Sequence, residues 1–398
     1  MARTPVTDVH THIYSEPFGG LLLWGVDELL TYHYLVAEVT RATAIPFETF
    51  WAMNKQEQAD FIWSELFIKR SPVSEACRGV LTALEMLGLD NSSRDLNAFR
   101  DYFNKTSVAQ HIDTVFERAN VESVVMTNDP FDPIEYPIWM NKFERDPRFH
   151  AALRIDALLN DWTANHTKLI EWGYNVESTL NVRSMAEVRR FLTEWLERTS
   201  ALYIAASLPP SFAFPEESWR ADLISECVLP VAAEFNVPFA MMVGVKKNIN
   251  PALKLAGDGV GLSDVDTIMR LCAAYPDNKF MVTMLARENQ HELCVLARKF
   301  PNLCLFGCWW FLNNPSLIDE MTRMRLELLG LSVIPQHSDA RILDQLLYKW
   351  QHSRALIANV LTDKYLDLLQ TGWTLTEEEI ARDVKLLLGG NFWDFLKR

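Results

Sequence analysis

The chain has 398 residues, 49% of them hydrophobic and 23% charged, and its 38 basic against 52 acidic side chains leave a formal charge of −14. That apolar content can fill a substantial core and excludes intrinsic disorder. The acidic balance excludes the basic stripes that non-specific binding to nucleic acid or anionic membrane requires, while leaving room for a small anionic substrate. The opening segment Met1–Pro5 lacks the apolar core of a signal peptide, and no segment offers the roughly eighteen uninterrupted apolar residues of a membrane span. Six scattered cysteines form no C-x-x-C pair, so reduced thiols in a cytoplasmic protein are expected.

Taken in chain order, eight short apolar segments read as strands. They are Thr7–His12, Glu122–Thr127, His150–Ile155, Leu202–Ser207, Pro238–Gly244, Lys279–Met284, Leu303–Cys308 and Leu331–Gln336. Runs such as Phe239-Ala240-Met241-Met242-Val243 suit strands buried on both faces of a parallel sheet. Between the first and second strands, Val26–Thr43, Phe47–Lys69, Val73–Leu87, Arg94–Phe103 and Val108–Ala119 show helical apolar spacing, with Ser93 and Ser107 as N-caps of the last two. The pattern predicts an α/β fold of the TIM-type (β/α)8 class. Residues 1–13 would carry its first strand, 14–120 a helical cap inserted after that strand, and 121–398 the remainder of the barrel. A doubly wound sheet is the alternative, but no G-x-G-x-x-G follows the first strand.

An insertion after a barrel strand emerges on the face where such folds place their active sites. Asp8-Val9-His10-Thr11-His12 ends the first strand there, and residues two apart on a strand share a face, so His10 and His12 can meet one metal ion. The plain alternative is two polar strand-end residues facing solvent. Gln336-His337-Ser338-Asp339-Ala340-Arg341 follows the last strand, which closes beside the first, so Asp339 can complete a His–His–Asp site or act as a base. Asp339 would otherwise be the N-cap of a helix Arg341–Leu356.

With these segments stand Tyr32-His33-Tyr34, Thr127-Asn128-Asp129-Pro130 with Asp132, Leu153-Arg154-Ile155-Asp156, Gly244–Asn250 and Gly307-Cys308-Trp309-Trp310-Phe311. In this order, each after a successive strand, they make the chain resemble the uronate isomerase (glucuronate isomerase) family, a divergent branch of the amidohydrolase superfamily. The resemblance implies a barrel with a helical cap, aldose–ketose interconversion of a small-molecule sugar acid, and a divalent metal ion, with zinc the usual suggestion. It implies His33 and Tyr34 as a catalytic cap pair. The demands of that reaction then give Tyr34 as the source of a phenolic proton, Arg341 as a stabiliser of developing charge, Arg154 as the substrate carboxylate's anchor and Trp309 as a pocket wall. The plain alternatives are cap packing for Tyr34, a core histidine for His33 and a surface ion pair for Arg154.

Two departures stand out. Met242 replaces the family's strand-five histidine, and Lys246 or Lys247 replaces a loop arginine, losing a bidentate grip. Lys246, Lys247 and Arg287 otherwise read as solvated charges. The rivals are a metal-dependent hydrolase or decarboxylase built on the same centre, and a non-catalytic sugar-acid-binding barrel. The cap and exposed helices leave surface for a homo-oligomer.

Overall fold

Buried apolar runs dictate the centre of the molecule, described over residues 1–398 by a computed structural model. β1 (Val6–Thr11), β2 (Val121–Asn128), β3 (Phe149–Arg154), β4 (Ile204–Leu208), β5 (Phe239–Val243), β6 (Phe280–Met284) and β7 (Leu303–Leu305) pair in that order. Every pairing is parallel. The side-chain period of two sorts each strand's residues between two cores. On β5, Phe239, Met241 and Val243 belong to the large core shared with the helices. Ala240 and Met242 instead join an inner cluster with Val9, Val125, Ala152, Tyr203, Met281 and Phe306. The sheet therefore curls around an inside, consistent with a TIM-like barrel.

The segment expected as the eighth strand, Leu331–Gln336, is not a strand; it makes a single parallel bridge, Phe306 to Ile334. Pro335 supplies no N–H, and Asp339 two turns of pleat later takes a positive φ of 51°, so a regular ladder cannot run through it. The segment still closes on both neighbours. Gly307 N–H donates to Ile334 O at 2.9 Å, Asp339 N–H to His10 O at 3.1 Å, and His12 N–H to Ala340 O at 2.7 Å. β7 is also shorter than expected, ending before Gly307 with its φ of 67°.

Between β1 and β2 the helices are α1 (Val26–Leu30), α2 (His33–Thr43), α3 (Phe47–Ala52), α4 (Lys55–Ile62), α5 (Glu75–Met86), α6 (Leu96–Asn104) and α7 (Val108–Ala119). The helix expected over Val26–Thr43 breaks at Thr31 and Tyr32. The Thr31 hydroxyl bonds the Asp27 carbonyl at 2.7 Å, and Tyr32 turns extended, with ψ 143°, as the cap of α2. Phe47–Lys69 divides likewise at Asn54, which forms a capping box with Glu57, and ends in a π-helical turn, Trp63–Ile68. Ser107 caps α7 in a capping box with Gln110, whereas Asp95 rather than Ser93 caps α6. The helix expected from Arg341 begins at Gln345 and runs to Gln370, so Asp339 is not its cap. No helix is long and apolar enough to cross a membrane.

Candidate functional site

β1 delivers His10 and His12 to one side of the chain, with ring centroids 5.4 Å apart and planes at 80°. The Nε2 atoms of both lie 3.6 Å from Asp339 Oδ1. His10 is fully buried, and His12 is the more open of the two.

The loop that presents Asp339 is held from below by Asp8, the first residue of the D-x-H-x-H run. Asp8 Oδ1 accepts the Ser338 N–H at 2.9 Å, and Oδ2 accepts the Trp350 indole N–H at 2.8 Å. The Ser338 carbonyl in turn accepts from the buried Lys349 ammonium and from Asn313 Nδ2. With these donors committed to its neighbours, the strained Asp339 backbone is fixed in place.

Burial sets the charge states. It lowers the His10 pKa to about 3, with Arg154 adding to the effect, and holds His12 well below its ordinary value with help from Arg341. Both imidazoles are therefore neutral, the form that ligates metal. Burial also raises Asp339 to about 6 against the opposing pull of Lys349 and Arg341. His10 Nε2 is a buried polar atom with no hydrogen-bond partner. The ligand atoms of His10, His12 and Asp339 lie within 4.8 Å of one another, so the three form a group that can hold a divalent metal ion, and the orphaned Nε2 fits that use.

An inner cavity of about 100 Å³ opens over these residues and is also lined by Arg154, Met242, Lys247, Trp309, Trp310 and Arg341. It continues into an outer cavity of about 500 Å³ that shares His12, Tyr32, His33, Arg154 and Arg341 and adds Tyr14, Asp129, Glu135 and Lys254. Arg154 is oriented by Asp156, whose other oxygen accepts the Ser207 N–H at 2.7 Å, and its Nε is buried without a partner. Trp310 donates its indole N–H to His33 Nε2 at 3.1 Å.

Most of the residues singled out in the sequence thus meet in one place; Tyr34 does not. It lines neither cavity, while Tyr32 lines both. Because α2 starts at His33, the next residue is carried about 100° around the helix, and Tyr34 lies edge-on behind the His33 ring with centroids 4.4 Å apart. Lys247 is exposed, as a solvated charge would be, yet it also borders the inner cavity, pairs with Asp258 at 2.7 Å and sits 5.8 Å from the Trp310 ring centre. Lys246 is exposed, and Arg287 makes a surface ion pair with Glu320.

This architecture has a close counterpart among solved structures. A uronate isomerase from Bacillus halodurans C-125 superimposes with a TM-score of 0.98 and 61% sequence identity, covering 99% of this chain and 94% of that one. The chain belongs to the uronate isomerase family. A uronate isomerase from Thermotoga maritima has a TM-score of 0.79 at 14% identity, covering 98% of this chain and 94% of that one. A glucuronate isomerase from Caulobacter crescentus has a TM-score of 0.76 at 14% identity, covering 98% and 91%. These two share the fold. No protein-family model and no curated protein sequence matches the chain.

Several side chains of this uronate isomerase family member escaped the sequence reading. Tyr203 looks like one more ring in an apolar run, yet its hydroxyl stands 3.3 Å from His10 Nδ1. Thr127 reads as a strand-end residue but lies 3.4 Å from the same nitrogen. His337, fully buried beside His10 with ring centroids 5.1 Å apart, has no partner for either ring nitrogen. Tyr203 has no sequence-local partner that would have marked it, and Thr127 and His337 stood in motifs without a role of their own.

Proposed function

We propose that the protein interconverts a hexuronate aldose, glucuronate or galacturonate, and the corresponding ketose. The observation that carries this reading is the 61% identity to a uronate isomerase across 99% of the chain. The convergence of His10, His12, Asp339, Arg154 and Arg341 on one cavity supplies the chemistry.

Aldose–ketose conversion through a cis-enediol moves a proton from C2 to C1 and needs a base, a stabiliser of oxyanion charge and a handler of hydroxyl protons. Asp339 is the base. Burial disfavours its charged form and raises its proton affinity above that of an ordinary aspartate, against the pull of Lys349 and Arg341. A single carboxylate serves C2 and C1 in turn because a cis-enediol presents both carbons on one face. Arg341, which lines both cavities, stabilises the developing negative oxygen. His33 accepts the Trp310 N–H at Nε2, so its own proton resides on Nδ1 and orients a sugar hydroxyl. Tyr34 supports that ring from behind. Arg154, aligned by Asp156, grips the uronate carboxylate, and Trp309 walls the sugar. A divalent ion held by His10, His12 and Asp339, with zinc favoured by two nitrogen donors and one oxygen donor, supplies Lewis-acid polarisation of the carbonyl when bound.

We read residues 14–120 as the helical cap of this site. In support, α2 contributes His33 to the outer cavity, and Trp51 of α3 donates its indole N–H to Ala252 O, in the loop after β5, at 2.8 Å. The six cysteines are all buried free thiols, in keeping with a reducing cytoplasm. Incubating zinc-loaded protein with glucuronate and with galacturonate, and following ketose formation by NMR, tests the activity. Absence of turnover on both sugars refutes it.

A further inference from the structure

We propose that Tyr203, assisted by Thr127, is a positioning residue that locks the His10 imidazole in the tautomer carrying its proton on Nδ1, so that the Nε2 lone pair faces Asp339. The inference rests on His10 serving as a metal ligand.

His10 Nδ1 has two polar neighbours, Tyr203 Oη at 3.3 Å and Thr127 Oγ1 at 3.4 Å. Each is a hydroxyl with a single proton to donate. Tyr203 gives its proton to the Val9 carbonyl at 2.8 Å, and Thr127 gives its proton to the Thr11 carbonyl, also at 2.8 Å. Both oxygens are then left with lone pairs alone, so Nδ1 must be the donor. The two distances are long for single bonds and suit one N–H shared between two acceptors. The opposite tautomer would set three lone pairs against one another in a fully buried place.

The two hydroxyls reach His10 from different parts of the fold. Thr127 belongs to the adjacent strand, β2. Tyr203 lies 193 residues from His10 in the chain and crosses the inner core from just before β4. Its neighbours in that core are apolar side chains such as Val9, Ala152 and Ala205. A phenylalanine would fill the same volume, so the hydroxyl has only the β1 backbone and His10 to serve. β1 also loses regular register against β2 between Asp8 and Thr11. There the two hydroxyls close on the carbonyls on either side of His10, fixing both the ring and the backbone that bears it. Groups that hold the second nitrogen of a metal-bound histidine commonly set metal affinity in this way.

The experiment compares wild type, Tyr203→Phe, Thr127→Val, the double variant and Thr127→Ser, which retains a hydroxyl. Protein stripped of metal is titrated with zinc against a chromophoric chelator, and histidine-labelled metal-free samples are read by ¹H–¹⁵N NMR, with His10→Gln assigning the signal. We expect the double variant to bind zinc roughly ten- to a hundredfold more weakly, Tyr203→Phe to show an intermediate loss, and Thr127→Ser to match wild type. The Nδ1–H pattern of His10 should be single in wild type and mixed in Tyr203→Phe. A well-folded Tyr203→Phe with an unmixed tautomer and wild-type zinc affinity overturns the proposal, as does a mixed pattern in wild type. Wild type that shows the single tautomer but binds no zinc sinks the ligand reading and leaves the tautomer assignment standing, because the NMR measurement needs no metal.

Discussion

The indole N–H of Trp310 donates to His33 Nε2 at 3.1 Å, tying the loop after β7 to the first residue of α2. Burial and nearby cations keep His33 neutral, with a pKa of about 3, so the bond selects which ring nitrogen carries its single proton. Trp310→Phe preserves the wall of the cavity and removes that selection. One neutral hydrogen bond is worth about 1 kcal/mol, so kcat on the hexuronate should fall by about five- to tenfold with little change in melting temperature. Steady-state kinetics alongside a thermal melt check this. An unchanged kcat would show that the His33 tautomer is immaterial to turnover.

Arg154 is held by Asp156 and keeps an unpartnered Nε beside the inner cavity. Lysine retains the charge and loses the planar fork. Arg154→Lys should raise KM for the hexuronate roughly tenfold to a hundredfold, the worth of one charge-assisted hydrogen bond, with a smaller effect on kcat. Kinetics on a sugar of the same length lacking the carboxylate provide the control, because there wild type and variant should converge.

Gly307 has a positive φ of 67°, and a Cβ built on it would lie 1.8 Å from His337 Cδ2. His337 is fully enclosed, packed at 5.4 Å between ring centroids against Phe306, and cannot swing away. Gly307→Ala should therefore destabilise the fold by about 3 kcal/mol or more, combining overpacking with backbone strain. Urea unfolding measures it. A loss below about 1 kcal/mol would mean that the His337 pocket yields more readily than its packing indicates.

Glu135 accepts hydrogen bonds from Tyr14, Asn128 and the Asp129 N–H, yet burial outweighs these donors and raises its pKa to about 7 from 4.5. The folded protein therefore takes up a proton relative to the unfolded chain between those two pH values. Stability contributed at this site is highest below about pH 4.5 and is lost as pH rises through 7. The span corresponds to about 3 kcal/mol for a residue that is 1% exposed. The stability difference between wild type and Glu135→Gln, followed by urea unfolding from pH 4.5 to 8, should decline with rising pH. A flat difference would mean that the three donors keep Glu135 ionised throughout.

The parts of the fold legible in the sequence are those where burial alone chooses the structure. Strands such as Phe239–Val243, buried on both faces, leave an unbroken apolar run, and Ser107 announces α7 through its capping box with Gln110. What escaped depends on contacts between distant segments. The irregular closure at Pro335 and Asp339 is stabilised by bonds from Gly307, His10 and Asp8, none of them near it in the chain. The break before α2, where Tyr32 turns extended, leaves no mark in the apolar spacing, and it goes with Tyr32 rather than Tyr34 facing the cavity. The paired histidines were visible through their spacing, whereas Tyr203, which touches His10, was hidden among residues of similar hydrophobicity.

Asp8 and Ser338 clasp each other across 330 residues of chain, and His10 bonds Asp339 one residue further along. During synthesis both histidines leave the ribosome long before the carboxylate that completes their group has been made. No N-terminal portion that ends before Asp339 can assemble the site, however well its own helices and strands have formed. A measured turnover therefore certifies that the two distant segments have met.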